Sequence, residues 1–282
     1  MVIIKEALDK AYSVLKDSSV ENPKLDARLL MEQALNISRE DLILCKDKEI
    51  SVSDYNVFLS MIERRANREP VSRILGYRDF WKSRFEISSE TLDPRPDTET
   101  LIEQVVKYCS QENIDSILDL GTGSGCILLS LLQEFKDVKG VGVDISSDAI
   151  NTSVKNANKL GLADRANFIN ISWNSLVPDS KFNVVVSNPP YIKESEINAL
   201  EGEVKGFDPI KALSGGDSGL DCYKEIITLL PNFLQKNGWV FLEIGYNQKY
   251  DVEKMLTLGG FTVIDTVKDL GGCDRCIIAR WN

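Results

Sequence analysis

Beyond about residue 115, seven short apolar runs rich in β-branched residues are separated mostly by segments of helical periodicity. The runs are residues 116–120, 139–144, 166–171, 182–187, 238–244, 261–265 and 275–280. Their lengths fit strands buried on both faces, and alternation with helices is typical of a parallel sheet. The pattern therefore predicts an α/β domain, with a mainly parallel sheet covered by helices on both faces.

The N-terminal part of the chain has a different pattern. Apolar residues recur at spacings of three and four, as in Ile4, Ala7, Leu8, Ala11, Val14 and Leu15. Ser38 and Ser51 each precede an Asp by three positions, which is typical of a helix start. The following GYRDFWKSRFEIS segment has aromatic and β-branched residues at strand-like intervals. We therefore expect a small helical domain over residues 1–75, a hairpin or linker over 76–93, and the sheet domain over 94–282.

The composition excludes several kinds of site. The 282 residues include no His, so His-ligated metal sites and Ser-His-Asp triads are excluded. Proton chemistry would have to use carboxylates, Tyr, Lys, Cys or water. The net charge is −10, and residues 1–75, with 12 basic and 13 acidic side chains, contribute only −1 of it. The acidic excess on the rest of the chain argues against extensive phosphate binding, and we expect no sequence-specific nucleic-acid partner.

The expected location is the cytoplasm. No run of about 18 apolar residues is present, and the N-terminus lacks the apolar segment of a signal peptide. The six Cys are irregularly spaced, which fits a reducing compartment better than a disulfide framework. We therefore expect no membrane partner.

A glycine-rich turn follows the first predicted strand of the sheet domain. Glycines let the backbone approach a ligand closely, and strand, turn and helix together are typical of a nucleotide-type site. Cys126 stands where a dinucleotide fingerprint has its third Gly or Ala, which disfavours NAD or FAD. The simpler alternative is a tight turn whose Asp caps the helix. The candidate cofactor residues of this loop are Asp119, Gly121, Thr122, Gly123, Ser124 and Gly125.

Asp144 ends the next predicted strand, 19 residues after Gly125. An acidic side chain at this position can accept hydrogen bonds from ribose hydroxyls, although Asp144 could equally serve a helix start together with Ser146 and Ser147. Loop and carboxylate together resemble the S-adenosylmethionine (SAM) site of Rossmann-like methyltransferases. The resemblance implies SAM as cosubstrate, and we expect no metal.

The run VVVS ends at Asn188-Pro189-Pro190-Tyr191. Two prolines stop the strand and make a stiff segment at its carboxyl end, where α/β sheets bind ligands. The Asn188 side-chain oxygen and the Pro189 carbonyl could accept both N–H groups of a planar –NH₂ and aim its lone pair at a methyl donor. Tyr191 would pack against the planar group. A rigid loop with a packed Tyr is the alternative for an isolated Asn-Pro.

This motif resembles that of methyltransferases acting on base amines and on protein glutamine. More of the chain is similar to the HemK/PrmC family, which methylates the glutamine of the Gly-Gly-Gln motif in peptide chain release factors. The resemblance covers nearly the whole length. It is carried by GYRDFW (76–81), PRPDTE (94–99), LDLGTGSG (118–125), VDIS (143–146), VSNPPYI (186–192), FDP (207–209), ALSGGDSGLDCY (212–223), LEIG (242–245) and DLGGCDR (269–275).

The resemblance implies site residues and a partner. Gly121 to Gly125, Asp144, Trp173 and Asn188 would contact SAM, and Asn188 to Tyr191 would hold the glutamine. The partner would be a release factor, recognised by the helical domain. One departure is Ser172, which stands where the family usually has an Asp; a Ser can still hydrogen-bond near adenine but carries no charge.

Other functions and residue roles stay open at the level of sequence. The same chemistry would serve glutamine methylation of a ribosomal protein. A DNA or RNA amino-methyltransferase would need a basic face with exposed aromatics, and an idle SAM-binding adaptor is a third alternative. Glu243 could hold a polar network or simply end a strand. PRPDTE could start a helix or form a wall of the cofactor pocket. Cys273 and Cys276 make a lone CxxC, a weak metal signal.

Overall fold

The computed structural model describes residues 2–282. The helices are α1 (Ile4–Asp17), α2 (Pro23–Leu35), α3 (Arg39–Leu44), α4 (Val52–Ala66), α5 (Val71–Leu75), α6 (Glu99–Cys109), α7 (Cys126–Glu134), α8 (Ser147–Leu160), α9 (Glu194–Ile197), α10 (Gly202–Phe207), α11 (Asp221–Phe233) and α12 (Lys249–Leu258). The strands are β1 (Tyr77–Phe80), β2 (Ser83–Glu86), β3 (Ser116–Leu120), β4 (Lys139–Asp144), β5 (Ala166–Asn170), β6 (Phe182–Ser187), β7 (Leu234–Glu243), β8 (Phe261–Lys268) and β9 (Asp274–Trp281).

The chain forms two compact units. One contains the chain up to Tyr77 together with Glu201–Phe207, and the other contains Arg78–Leu200 and Asp208–Asn282. The first unit is helical, and its apolar core includes Leu15 and Phe58. Helix α10 belongs to this unit although it lies far along the sequence, a feature that the periodicity of residues 1–75 does not predict.

A buried arginine on α4 forms ion pairs with α2 and α10 in the helical unit. The Arg65 side chain is 8% exposed, and its Nε lies 2.7 Å from Asp26 Oδ2. A second carboxylate, Glu203 on α10, lies 3.3 Å from Arg65 Nη1 and 2.7 Å from Arg68 Nη2. Paired carboxylates compensate the desolvation of the guanidinium. The Asp26 and Glu203 carboxylates therefore allow Arg65 to lie inside this unit.

The second unit is built on a seven-stranded sheet with the order β5-β4-β3-β6-β7-β9-β8. The first five strands in this order pair in parallel, whereas β9 is antiparallel to both β7 and β8. The mainly parallel sheet predicted above is therefore confirmed. Strands β1 and β2 form a separate two-stranded hairpin at the predicted place.

Several predicted strand ends were wrong. Strand β5 stops at Asn170, β7 begins earlier at Leu234, β8 continues to Lys268, and β9 runs from Asp274 to Trp281. The added residues are mostly polar and are held by backbone pairing between neighbouring strands, such as Lys268 with Asp274. Apolar periodicity does not predict them, because most of them are polar.

Helices cover both faces of the sheet. The valines of β6 alternate between two cores: Val184 and Val186 pack in one, and Val185 in the other. Alternation follows from the two-residue period of a strand. The first core includes side chains of α6, α7 and α8, and the second those of α11 and α12. The carboxyl ends of β3, β4 and β6 therefore meet at one sheet edge, where the candidate site lies. No helix within residues 2–282 combines the length and apolar character needed to cross a membrane.

Candidate active site

The glycine loop forms one wall of a cleft at this sheet edge. Gly121, Gly123 and Gly125 have φ values of 75°, 55° and 78°, a left-handed conformation that favours glycine. The loop is tied to β4, because the backbone N–H groups of Gly121 and Thr122 donate to the Val143 carbonyl at 2.9 and 3.0 Å. The residues of the loop that line the cleft are Gly121, Thr122, Gly123 and Ser124.

Gly125 does not line the cleft; it lies where other side chains pack closely. A Cβ at this position would lie 3.0 Å from the Ser153 Cβ and 3.2 Å from side-chain atoms of Leu129 and Phe168. Those contacts are tighter than ordinary van der Waals distances. The absence of a side chain lets α7 start directly against α8 and β5.

Asp144 fastens the loop and faces the cleft. Its Oδ2 accepts from the Gly123 N–H and its Oδ1 from the Ser146 N–H, both at 2.9 Å. Desolvation raises the pKa of this carboxyl, and the backbone hydrogen bonds oppose the rise. Each carboxylate oxygen can accept more than one hydrogen bond. Asp144 can therefore hold the loop and still accept from a ligand hydroxyl.

Asp119, also predicted to contact the cofactor, lies beneath the loop. It is fully buried and does not line the cleft. Its Oδ2 accepts from the Thr122 hydroxyl at 2.7 Å. Burial raises the pKa of Asp119 to about 7. This carboxyl supports the loop from below, and sequence spacing could not distinguish that position from a direct contact.

Trp173 lines the cleft next to Gly121 of the loop. Its indole N–H donates to Glu225 Oε2 at 2.9 Å, and Asn174 Nδ2 donates to the same oxygen at 2.9 Å. A Cβ at Gly121 would lie 3.7 Å from the indole ring. Ser172, at the family's usual Asp position, accepts from the Asn174 N–H at 3.2 Å and so caps the short helical turn Trp173–Ser175. The indole face is therefore fixed beside the loop.

The Asn-Pro-Pro-Tyr segment follows β6 directly. Asn188 and Pro190 line the cleft, whereas Pro189 is buried. The Asn188 Nδ2 donates to the Thr98 hydroxyl at 3.2 Å. Tyr191 is half-buried outside the lining, and its hydroxyl donates to Glu243 Oε1 at 3.3 Å. The amide oxygen of Asn188 is not engaged by this hydrogen bond and can accept from a ligand.

Two further candidates for the site are Thr98 and Glu243, whose roles the sequence motifs do not decide. Thr98 ends the helical turn Pro96–Thr98 inside PRPDTE and lines the cleft. Glu243 is the last residue of β7 and is 1% exposed. Burial raises the pKa of Glu243 to about 7, while the charge of Arg275 and the hydrogen bond from the Tyr191 hydroxyl oppose the rise.

A second wall of the cleft joins two motifs that are distant in sequence. Arg95 Nη2 lies 2.5 Å from Asp208 Oδ2, and the Asp93 N–H donates to Asp208 Oδ1 at 3.3 Å. Arg95, Pro209 and Lys211 line the cleft next to this ion pair. Sequence reasoning quoted FDP only as a family motif. The sequence does not predict that Asp208 is a buried carboxylate, because its partners lie more than a hundred residues away.

The cleft encloses about 940 Å³ of space, including its opening to solvent. Acidic and basic side chains, among them Asp144 and Arg95, are both present in its lining. Residues 2–282 contain no group of three or more Cys, Asp or Glu side chains arranged to hold a metal. Cys273 is exposed and Cys276 is buried, so the lone CxxC does not present two accessible thiols.

Two family models and one solved structure resemble parts of this chain. Residues 6–76 match the family model described as the PrmC N-terminal domain, and residues 88–202 match the methyltransferase small domain. The T. thermophilus 16S rRNA N2 G1207 methyltransferase, solved with AdoMet and guanosine, superposes with a TM-score of 0.51. It is 17% identical and covers 73% of this chain and 50% of its own, so it shows the fold alone.

Curated relatives are far more similar. A release factor glutamine methyltransferase of Rhodospirillum rubrum is 42% identical over 282 residues, covering 99% of this chain and 85% of that protein. One from Agrobacterium fabrum is 40% identical over 281 residues, covering 98% of this chain and 97% of that protein. Identity at this level extends over both units. The chain therefore belongs to the release factor glutamine methyltransferase family.

Proposed function

We propose that this chain transfers a methyl group from SAM to the side-chain amide nitrogen of the glutamine in the Gly-Gly-Gln motif of peptide chain release factors. The observation that carries the proposal is the orientation of Asn188. Its Nδ2 is engaged by Thr98, so its Oδ1 is left as an acceptor at the edge of the cleft. Full-length similarity to release factor glutamine methyltransferases supports the choice of substrate.

The residues of the cleft fit SAM. We propose that Asp144 accepts from the ribose hydroxyls, that the backbone of Gly121 to Gly125 approaches the ligand closely, and that Trp173 covers the adenine. Bound SAM supplies a methyl group on a sulfonium, which is strongly electrophilic and needs no covalent enzyme intermediate. Asp119 would support the glycine loop from beneath through its hydrogen bond with the Thr122 hydroxyl. No step requires a metal.

The end of the cleft at Asn188 would bind the glutamine amide nitrogen, which is a weak nucleophile. The lone pair of an amide nitrogen is delocalised, so attack requires the –NH₂ group to be held and rehybridised. Asn188 Oδ1 and the Pro189 carbonyl would accept its two N–H groups, and Pro189 and Pro190 preorganise that pair. Tyr191 would pack against the amide plane. Methyl transfer would form the N–C bond and break the C–S bond, whose electron pair would remain on the sulfur, and the proton lost by the nitrogen would pass to solvent water.

The remaining parts of the proposal concern partners and location. We propose that the helical domain, residues 1–75, recognises the release factor, and that 76–93 connects it to the methyltransferase domain, 94–282. We propose a cytoplasmic enzyme with no membrane or sequence-specific nucleic-acid partner. The free state of all six Cys supports a reducing compartment.

The test incubates the full chain and SAM with purified release factor, ribosomal proteins, ribosomal RNA and DNA in separate reactions. Mass spectrometry should find one added methyl group on the Gly-Gly-Gln glutamine, and none on a release factor with that Gln changed to Glu. A methyl group on a nucleic-acid base or only on a ribosomal protein would overturn the proposal.

A further inference from the structure

The sheet holds the Asn-Pro-Pro-Tyr segment, residues 188–191, at its amino end. Strand β6 pairs with β7 up to Ser187, whose partner is Leu242. Pro189 and Pro190 have no N–H group, so they cannot donate the hydrogen bonds that would continue the strand. The position of the Tyr191 end must therefore be set by contacts with other parts of the chain.

A loop over residues 213–219 runs beside that end of the segment. The Ile192 N–H donates to the Leu213 carbonyl at 2.9 Å, and the Gly215 N–H donates to the Ile192 carbonyl at 2.8 Å. Ile192 and Ser214 thereby form a short parallel bridge. The backbone that directly follows the segment is consequently paired with the 213–219 loop.

Gly215 lets this loop lie directly against the segment. A Cβ on Gly215 would lie 2.8 Å from each of three atoms, which are the Pro190 carbonyl oxygen, the Tyr191 Cα and the Gly219 carbonyl oxygen. That distance is well inside van der Waals contact. All three atoms belong to the backbone, so none of them can turn aside as the end of a side chain can. The loop and the segment therefore fit each other with no room for a methyl group.

Gln248 joins the loop, the segment and the turn after β7. Its Nε2 donates to the carbonyls of Tyr191 and Gly219, both at 2.9 Å, and its Oε1 accepts from the Gly245 N–H at 2.9 Å. The residue is 6% exposed. Carbonyls only accept and a backbone N–H only donates, so the orientation of the Gln248 amide is fixed and both of its N–H groups are used.

We infer that Gln248 is a positioning residue for methyl transfer, which together with Gly215 fixes the carboxyl end of the Asn-Pro-Pro-Tyr segment. Neither residue lines the cleft, so both act through the segment and not on a ligand. The inference rests on the proposed function, because it concerns the geometry of the acceptors in that reaction.

The two prolines transmit the effect of Gln248 to the proposed acceptor. Each has a fixed φ angle, so few torsions can vary between the end of β6 and the Tyr191 carbonyl. With both ends held, the Pro189 carbonyl has a defined direction toward the glutamine –NH₂ group. Without the Gln248 hydrogen bonds the Tyr191 end would shift, and the Pro189 carbonyl would shift with it. A misplacement of about 1 Å can cost about 10²-fold in rate.

The first experiment compares Gln248→Met with the control Gln235→Met in the full chain, with SAM and release factor. Gln235 Nε2 donates to the Lys181 carbonyl at 3.0 Å, and its Oε1 accepts from Asn183 Nδ2 at 3.3 Å. It therefore also connects β7 to the start of β6, but at the end of the sheet opposite the cleft.

Gln248→Met should lower kcat roughly 10- to 100-fold, because the acceptor is misplaced. The KM for release factor should be unchanged, since the helical domain is proposed to recognise that substrate. SAM affinity measured by calorimetry should match the wild type, since Gln248 does not line the cleft. Gln235→Met should keep the wild-type values of all three.

Gly215→Ala is the second variant, with Gly238→Ala as its matched control. A Cβ on Gly238 would lie 2.9 Å from the Gln235 carbonyl oxygen, so this control is also crowded against backbone, again far from the cleft. Rates are expressed per folded protein, measured by circular dichroism. Gly215→Ala should lower kcat as Gln248→Met does, and Gly238→Ala should not.

The inference is overturned if Gln248→Met keeps the kcat of Gln235→Met, or if Gly215→Ala turns over as fast as Gly238→Ala. It is also overturned if SAM affinity falls in proportion to kcat in Gln248→Met, because the cleft as a whole would then be damaged. Failure of the wild-type chain to methylate any release factor would instead refute the proposed function, so the two failures are distinguishable.

Discussion

Asn188 and Thr98 are 90 positions apart in the sequence, yet the Asn188 amide donates to the Thr98 hydroxyl at 3.2 Å. The contact joins the end of β6 to the turn Pro96–Thr98 that precedes α6. It brings two motifs together at the cleft, and it engages the amide nitrogen of Asn188, so that the amide oxygen can accept from a ligand.

Replacing Asn188 should therefore affect turnover more than cofactor binding. Asn188→Ala removes an acceptor from the site and should lower kcat by about 10²–10³, the usual cost of losing one preorganised electrostatic partner. Asn188→Asp still accepts from –NH₂ but cannot donate to Thr98, so an intermediate loss is expected. Transfer of radioactive methyl groups to release factor measures both. Equal rates for Asn188→Ala and the wild type would contradict the proposed role.

Asp144 should control SAM affinity. Asp144→Ala removes the acceptor for the Gly123 and Ser146 N–H groups as well as the proposed ribose contact, so SAM should bind more weakly while the fold is kept. Asp137→Ala, at an exposed position, is the matched control. Calorimetry should separate the two variants, and the same SAM affinity in both would exclude Asp144 from the site.

Gly125 should tolerate a methyl group less well than another glycine with positive φ. Gly161 has a φ of 69° and open space around its Cβ position, so Gly161→Ala should lose only the conformational term of about 1–2 kcal/mol. Gly125→Ala adds crowding against Ser153, Leu129 and Phe168, and should lose about 1–3 kcal/mol more. Urea unfolding of both variants gives the difference. Equal losses would show that the surrounding side chains move aside freely.

The buried arginine of the helical unit should be sensitive to substitution. Arg65→Met leaves Asp26 and Glu203 buried without their shared partner, and breaking such a pair typically costs about 3–5 kcal/mol. Arg28→Met removes a more exposed pair with Glu32, worth about 0–1 kcal/mol. Denaturant unfolding followed by helical circular dichroism tests the contrast. Similar stabilities for the two variants would mean that solvent screens the Arg65 cluster.

Asp119 should make stability depend on pH. Its folded-state pKa of about 7 lies above the ordinary value of 3.8, mainly because burial disfavours the charged form. Between these values the folded chain holds a proton that the unfolded chain has lost, so this group's contribution to stability falls as pH rises. Asp119→Asn removes the penalty and can still accept from Thr122. Its stability relative to wild type should increase by several kcal/mol between pH 4 and 8, and a constant difference would refute this.

The sequence alone determined the kind of sheet and which local motifs form the candidate site. Glycines with positive φ, an acidic strand end and a strand stopped by two prolines are local features, because each depends on the backbone of a few consecutive residues. They were sufficient to predict the loop of Gly121 to Gly125, Asp144 and the segment from Asn188 to Tyr191 at one edge of a parallel sheet. Strand ends at Lys268 and Asp274 were missed, since partner strands rather than apolar side chains hold them.

Only the tertiary structure decided what surrounds these groups. Spacing could not place Asp119 beneath the loop, Asp208 against Arg95, or α10 in the helical unit, because each depends on partners distant in sequence. The same is true of Glu243 and Thr98. Their hydrogen bonds with Asn188 and Tyr191 form only when β6, β7 and the turn Pro96–Thr98 are packed together, because the partners come from segments distant in sequence.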